Sequence, residues 1–329
     1  MTLHRRLFLH LAAAVVAALM AAPIARGEVY PSRPVTFVVP FPAGGVTDVV
    51  ARVLAERMRV SLGQPVIVEN VSGAGGTIAV GRVVRAAPDG HTLSLGDLTS
   101  HVSSSAIFTV QYDVLRDLEP VALLPSAPQL FVGKSAMPAK DLKELIVWLK
   151  AHPDKASAAL PGTFGSGGHL SALYFQNSTG TRFQFVPYRG GAPAIQDLVA
   201  GHVDLLFIDA STALPYVRSG QIKAYGVTAK TRWAAAPEIP TLDELGVPLY
   251  FSLWRGLWLP KGTPKEVIVK LNTAVVDALA DSAVRQRLTE IGQEIPSLNL
   301  QTPEALGAHH KAEIEKWWPV IKAANVRVE

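Results

Sequence analysis

Four times along this chain a short apolar, β-branched run gives way to a glycine-rich turn and then to a helix-like stretch. The turns are Pro40-Phe41-Pro42-Ala43-Gly44-Gly45, Gly73-Ala74-Gly75-Gly76, Gly165-Ser166-Gly167-Gly168 and Arg189-Gly190-Gly191-Ala192-Pro193. A strand that feeds a helix through a tight turn builds layered α/β architecture with buried strands. Strands are expected at Val35–Val39, Val66–Glu69, Thr92–Leu95, Leu130–Val132, Ser157–Leu160, Phe183–Val186, Val203–Ile208 and Ile222–Val227, with helices between them. The expected class is α/β with mixed, mainly parallel sheets.

Each such turn has a chemical use as well as a structural one. Glycine permits close backbone approach. The helix that follows offers unpaired N–H groups and the positive end of its dipole. That pairing binds a carboxylate or phosphate without a formal positive charge. Taken singly, each loop is also a plain α/β connection. Two loops in each half of the chain make a facing pair the sharper expectation.

Nucleotide motifs fail at these loops. A dinucleotide fingerprint from Gly73 and Gly75 needs glycine at Ile78, and one from Gly165 and Gly167 needs it at Leu170. Gly133-Lys134-Ser135 imitates the end of a phosphate-binding loop, but Pro128 stands where its first glycine belongs. The chain has no cysteine, which excludes disulfides, thiol catalysis and iron–sulfur clusters. No nucleophile elbow and no H-E-x-x-H segment occurs, and the adjacent His309 and His310 diverge on a helix and make a poor metal pair. No catalytic residue, metal or cofactor is therefore expected. A secreted hydrolase remains as an alternative, built from Ser166 or Ser100 with His169 or His101 and an acid such as Asp209.

The first 27 residues read as an export signal: His4-Arg5-Arg6, an apolar stretch from Leu7 to Ala22, and Ala25-Arg26-Gly27 before the cut. Arg5-Arg6-Leu7-Phe8-Leu9 also fits the twin-arginine pattern, with an ordinary secretory signal as the alternative. The expected location of the mature chain is outside the cytoplasm. The charge balance agrees that nucleic acid is not a partner. The chain carries 31 basic and 27 acidic residues, but Arg5, Arg6 and Arg26 lie in the signal and leave 28 against 27. So even a balance gives no electrostatic case for a phosphate backbone.

At the C-terminal end Thr263-Pro264-Lys265-Glu266 predicts a helix start with Thr263 as its cap, and Ile268, Leu271, Val275 and Leu279 mark its apolar face. A last helix from Thr302-Pro303 carries Leu306, Ile314, Trp317, Trp318 and Ile321, the tryptophans expected to dock it on its domain, with a binding platform as the alternative. With 329 residues, two domains are expected. No low-complexity linker divides them, so the chain crosses more than once, near Pro125–Pro128 and Thr228–Arg232. The division is 28–128 plus 229–329 for one domain and 129–228 for the other, after the signal at 1–27.

An ordered set of segments resembles the solute receptors of tripartite tricarboxylate transporters, also called the Bug family. It begins with Tyr30-Pro31-Ser32-Arg33-Pro34 and Val38 through Asp48. It continues through Gly63-Gln64-Pro65, Ala87-Pro88-Asp89-Gly90-His91, Val186-Pro187-Tyr188-Arg189-Gly190, Gly201-His202-Val203-Asp204 and Pro260-Lys261-Gly262-Thr263-Pro264. The resemblance spans essentially the whole chain beyond the signal. It implies a two-domain periplasmic binding protein of type II fold that closes by a hinge on a small organic acid. It also implies delivery to inner-membrane permease subunits, as a monomer. A sensor feeding a membrane signalling receptor is the alternative use of the same trap. The resemblance places the ligand carboxylate on backbone N–H groups of the loops Phe41–Asp48 and 163–169. The candidate ligand-binding set is Phe41, Ala43, Gly44, Gly45, Thr47, Asp48, Asp97, Gly165, Ser166, Gly167, His169, Tyr188, Asp209 and Arg255.

Three of these depart from the commonest family pattern: Asp97, Asp209 and Arg255. One expectation is that Asp97 or Asp209 meets a donor or cation on the ligand while Arg255 takes a second carboxylate. The other is that Arg255 pairs with one aspartate and neither touches ligand.

Overall fold

The computed structural model describes residues 30–162 and 164–323. The signal expected at 1–27 and Thr163 lie outside the described residues. The described residues from Arg33 to Ala323 pack as one compact unit.

The strands are β1 (Val35–Val39), β2 (Val66–Asn70), β3 (Thr92–Asp97), β4 (Leu118–Lys134), β5 (Ser157–Pro161), β6 (Gln184–Tyr188), β7 (Leu205–Asp209), β8 (Ile222–Val227) and β9 (Ser252–Pro260). They join in the order β2-β1-β3-β9-β4-β7-β5-β6, with β8 also on β4. β1 pairs in parallel with β2 and β3, and β5 with β6 and β7. The pairings of β9 with β3 and β4, and of β4 with β7 and β8, are antiparallel. The described sheet is thus an even mixture, which corrects the expectation of mainly parallel pairing.

Two strands carry that correction. β9 was not expected: Ser252-Leu253-Trp254-Arg255-Gly256-Leu257-Trp258 holds a charge and a glycine inside an apolar run. β4 is far longer than Leu130–Val132. It pairs with β9 as far as Pro128↔Ser252 and with β7 from Gln129↔Asp209 onward. Pro120 and Pro125 fall at register shifts, between Pro120 and Ala122 and between Leu124 and Ala127, and Pro128 at the point where the strand changes partner.

The helices are α1 (Val46–Leu62), α2 (Thr77–Val84), α3 (Ser104–Ile107), α4 (Leu142–Ala151), α5 (Gly167–Thr179), α6 (Gly191–Ala200), α7 (Ala210–Arg218), α8 (Lys265–Ala280), α9 (Ser282–Glu290) and α10 (Pro303–Ala323). A π-helical turn at Thr99–Ser103 precedes α3. None of the described helices is long and apolar enough to cross a membrane.

Side-chain alternation along the strands sorts the core. Leu130, Val132, Leu206 and Ile208 face one buried cluster with Ile195, Leu198 and Leu214. Phe131 and Phe207 point the other way and stack with centroids 4.1 Å apart, beside Phe175. Both faces of β7 are buried, which is why its sequence reads as a continuous apolar run.

The terminal helix docks as expected. Thr302 caps α10 by accepting from Ala305 N–H at 3.1 Å. Trp317 is buried against Phe251, and Trp318 donates to the Val102 carbonyl at 2.9 Å. Thr263 does not cap α8. Its hydroxyl donates to the Pro260 carbonyl at 2.8 Å, and Pro264 takes the cap position without a side-chain bond.

Helix α5 lies so close to the sheet that a Cβ at Gly168 would stand 2.7 Å from the Phe207 carbonyl oxygen and 2.9 Å from the Pro161 ring. Gly168→Ala is expected to destabilise the fold by about 1–3 kcal/mol. Urea unfolding should show a lower midpoint at unchanged slope.

Candidate functional site

The first glycine-rich loop joins β1 to α1. Residues 42–45 are exposed, and Gly44 has φ +81°, a left-handed value that bars most other residues. Gly45 stands at the cap position with no side chain to close the helix start. The loop is held from beneath by Asp48. Its carboxylate accepts from Gly44 N–H and Arg52 Nε, each at 2.9 Å, and from Asn70 Nδ2 at 2.9 Å. Asn70 also donates to the Phe41 carbonyl at 3.0 Å. Burial alone would raise the Asp48 pKa, but these donors outweigh it and hold the carboxyl below its usual range. The Asp48 side chain is a brace turned into its own loop.

The second loop joins β5 to α5. Gly165 has φ +82° and packs against Ile107 and Ser103, in space that a Cβ would need. Its N–H donates to His169 Nδ1 at 2.8 Å. Phe164 and Phe185 meet the His169 ring edge to face at 5.2 and 4.9 Å. Burial lowers the His169 pKa to about 4, so the imidazole is neutral and its proton sits on Nε2. Ser166 is the cap residue of α5 but makes no capping bond, and its buried hydroxyl has no partner among the described residues.

Strand β9 brings the two helix starts together. A Cβ at Gly167 would meet Leu253 and Phe251 at 2.9 Å, so α5 begins against that strand. Two residues on, Arg255 Nε donates to Thr47 Oγ1 in the first turn of α1 at 3.1 Å. The same guanidinium donates through Nη1 to Gln293 Oε1 at 2.8 Å and to the Pro125 and Leu253 carbonyls at 3.2 and 3.3 Å. Through Nη2 it donates to Asp209 Oδ2 at 3.1 Å. Both members of that ion pair are buried. Asp209 also caps α7, its Oδ1 accepting from Ser211 N–H at 3.0 Å and from the Ser211 hydroxyl.

Asp97 closes β3 directly opposite Arg255 in the antiparallel register. Residues so paired point to the same face of the sheet. Its Oδ1 accepts from Ser100 N–H at 3.2 Å, and no Lys, Arg or His among the described residues pairs with it. Burial pushes its pKa up, against the pull of the Ser100 N–H and the Arg255 charge.

The structure therefore gathers Thr47, Asp97, Asp209 and Arg255 around the start of β9, with the Phe41–Gly45 loop and the Gly165–His169 loop beside them. Tyr188 is set apart by its hydroxyl, which donates to Asp197 Oδ2 on α6 at 2.6 Å. Burial first, and then Asp197, raises its pKa to about 12. Gln293 and Ser211 were not anticipated. Both are single polar residues in unremarked segments, and only the folded chain sets them on Arg255 and Asp209.

The hydrolase alternative meets no matching geometry. Ser100 Oγ lies 2.9 Å from His101 Nδ1, but that ring is fully buried and stacked on Trp258 at 3.9 Å. Asp209 is engaged by Ser211 and Arg255 rather than by either histidine. No group of metal-ligating side chains occurs among the described residues.

Asp209→Ala is expected to cost about 3–5 kcal/mol, because it strands a buried guanidinium. Adding Arg255→Met should recover most of the loss in chemical unfolding. Acid should also weaken the fold. His169 and His310 both have pKa values lowered to about 4 by burial, against about 6.5 when unfolded. Their stabilising contribution is complete above pH ~6.5 and is lost as pH falls toward 4. A thermal midpoint that stays flat over that interval would contradict buried neutral imidazoles, and His310→Gln should flatten the slope in part.

Comparison with known proteins matches residues 50–326 to the model of the tripartite tricarboxylate transporter family receptor. Protein BugT of Bordetella pertussis is 35% identical over 313 residues, which is 94% of each chain. MatC from Rhodopseudomonas palustris, solved with bound malate, is 41% identical with a TM-score of 0.83, covering 89% of this chain and all of that one. A second R. palustris protein, solved with adipate, is 33% identical with a TM-score of 0.84, covering 91% of this chain and all of the other.

Proposed function

The chain belongs to the tripartite tricarboxylate transporter family of receptors, and from that membership we propose that it captures a small organic acid and delivers it to the membrane permease of such a transporter. The observation that carries this reading is the meeting of two helix starts, at Gly45 and Ser166, neither closed by a side-chain cap. The α1 start is tied to Arg255 and the α5 start packs on Leu253. Solved relatives holding malate and adipate support an acid as the ligand.

In this reading the ligand carboxylate takes the N–H groups that open α1, at Thr47 and Asp48, and those that open α5, at Gly167 and beyond. Phe41, Ala43, Gly44, Gly45, Gly165, Ser166 and His169 shape the two loops around it. Asp97 faces the remainder of the ligand, beside Arg255, whose donors are taken up by Thr47, Gln293, Asp209 and two carbonyls. Asp48, Tyr188 and Asp209, whose side chains are engaged by their neighbours, serve as braces. Backbone dipoles stabilise an anion without an added cation, which suits a chain of near-neutral charge.

Capture proceeds by closure of two lobes, residues 28–128 with 229–329 and residues 129–228, flexing near Pro125–Pro128 and Thr228–Arg232. The change of partner along β4 between Pro128 and Gln129 supports that division. Ligand stabilises the closed form because only there do both loops reach it. The receptor works as a monomer in the periplasm after loss of residues 1–27, by the general secretory or the twin-arginine route. It binds without catalysis, cofactor or nucleic acid.

The test is a thermal-shift screen of the purified chain, unfolded and refolded to strip bound ligand, against small carboxylic acids and their amides. A ligand at about 100 times its Kd stabilises by roughly 2.7 kcal/mol. The midpoint should then rise by about 2–4 °C per kcal/mol. A shift with an acid and none with its amide supports carboxylate capture. A well-folded sample that responds to no acid overturns it.

A further inference from the structure

We propose that Asp97 recognises an ammonium group, so that the ligand is a zwitterionic acid such as an amino acid rather than a plain mono- or dicarboxylate. This rests on the carboxylate-site reading above and concerns the other end of the same ligand.

The argument is one of charge placed at known positions. Asp97 and Arg255 are cross-strand partners on one face of the sheet, and Arg255 reaches Thr47 in the first turn of α1. The Asp97 carboxyl therefore shares its face with the helix start that would hold the ligand carboxylate. Arg255 does not answer that charge by hydrogen bonding. Its donors go to Thr47, Gln293, the Pro125 and Leu253 carbonyls, and Asp209. The Arg255–Asp209 pair is buried and closed on itself, since Ser211 occupies the other Asp209 oxygen.

That leaves one carboxyl without a paired cation, only partly exposed, at the edge of an anion site. A second ligand carboxylate placed there would meet a like charge, and using Arg255 instead would break the Asp209 pair. A hydroxyl would gain one hydrogen bond. An ammonium adjoining the ligand carboxylate would gain a charge-assisted bond and remove the unbalanced charge at once. The raised pKa of Asp97 points the same way: burial penalises its ionised form by more than Ser100, Thr99 and the Arg255 charge recover, and an ammonium in contact would offset that cost.

The experiment uses two matched series with the refolded chain: alanine, lactate and propionate, then aspartate, malate and succinate. Affinities are measured by titration calorimetry at pH 7.5. At least one amino acid is expected to bind tenfold or more tightly than its hydroxy and parent acids. Asp97→Asn should bring that amino acid down to the level of its hydroxy counterpart. The unliganded variant should keep or raise its thermal midpoint at neutral pH. A carboxyl whose folded pKa is raised costs stability as pH climbs past its unfolded value, and asparagine removes that cost. Malate or succinate binding as tightly as aspartate overturns the proposal in the wild-type chain alone, whatever the variant does. So does dicarboxylate binding that strengthens from pH 7.5 to 5, which would make Asp97 a protonated donor. Acids that bind with no preference for the amine sink this inference and leave the carboxylate site standing. Failure of every acid and amino acid removes both.

Discussion

One guanidinium ties together segments that are remote in sequence. Arg255 donates to Thr47 on α1, to the Pro125 carbonyl on β4, to Gln293 before α10 and to Asp209 at the end of β7. A planar group with donors fixed in direction imposes an angular relation on all of them. The strand that carries it also receives the start of α5 at Leu253. The positions of both glycine-rich loops thus depend on how β9 is seated, and β9 is seated by β3 on one edge and β4 on the other.

The loops themselves follow a second constraint, that backbone must come close to backbone. Gly165 lies on Ile107 with a positive φ, and Gly168 lies under the Phe207 carbonyl. Side chains that elsewhere would cap or charge such helix starts are instead turned away. Asp48 braces its own loop from beneath, and His169 accepts from Gly165 as a neutral ring. What the two starts present is mostly peptide N–H. Apart from Asp48, paired with Arg52, charge lies on Asp97, Asp209 and Arg255, and the last two neutralise each other.

Much of this was legible in the residues. Apolar, β-branched runs located eight of the strands, and those buried on both faces, such as β7, leave an unbroken hydrophobic signature. β9 escaped because Arg255 and Gly256 interrupt that signature, and their reasons for being there are tertiary: Gly256 lies under Trp258 and Leu306. β4 was cut short because Pro120, Pro125 and Pro128 read as breakers, whereas register shifts absorb the first two and Pro128 sits where the strand changes partner. Thr263 carried a sound capping pattern, yet the Pro260 carbonyl competed for its hydroxyl. In the site, the loops were visible as motifs. Gln293 and Ser211 were not, since a lone polar residue reveals its role only when the fold delivers its partner.

The position of β9 late in the chain has a consequence for how the molecule comes into being. β3 and the first part of β4 both wait for it, and the strands between them and β9 in sequence belong to other pairings. A polypeptide emerging end-first, from a ribosome or through a pore, holds two unsatisfied sheet edges until Pro260 is out. Such long-range pairing slows folding and keeps apolar edges open in the meantime. Biogenesis of this receptor is therefore a problem of guarding a half-made sheet, and any factor that escorts the chain must stay with it until β9 has emerged.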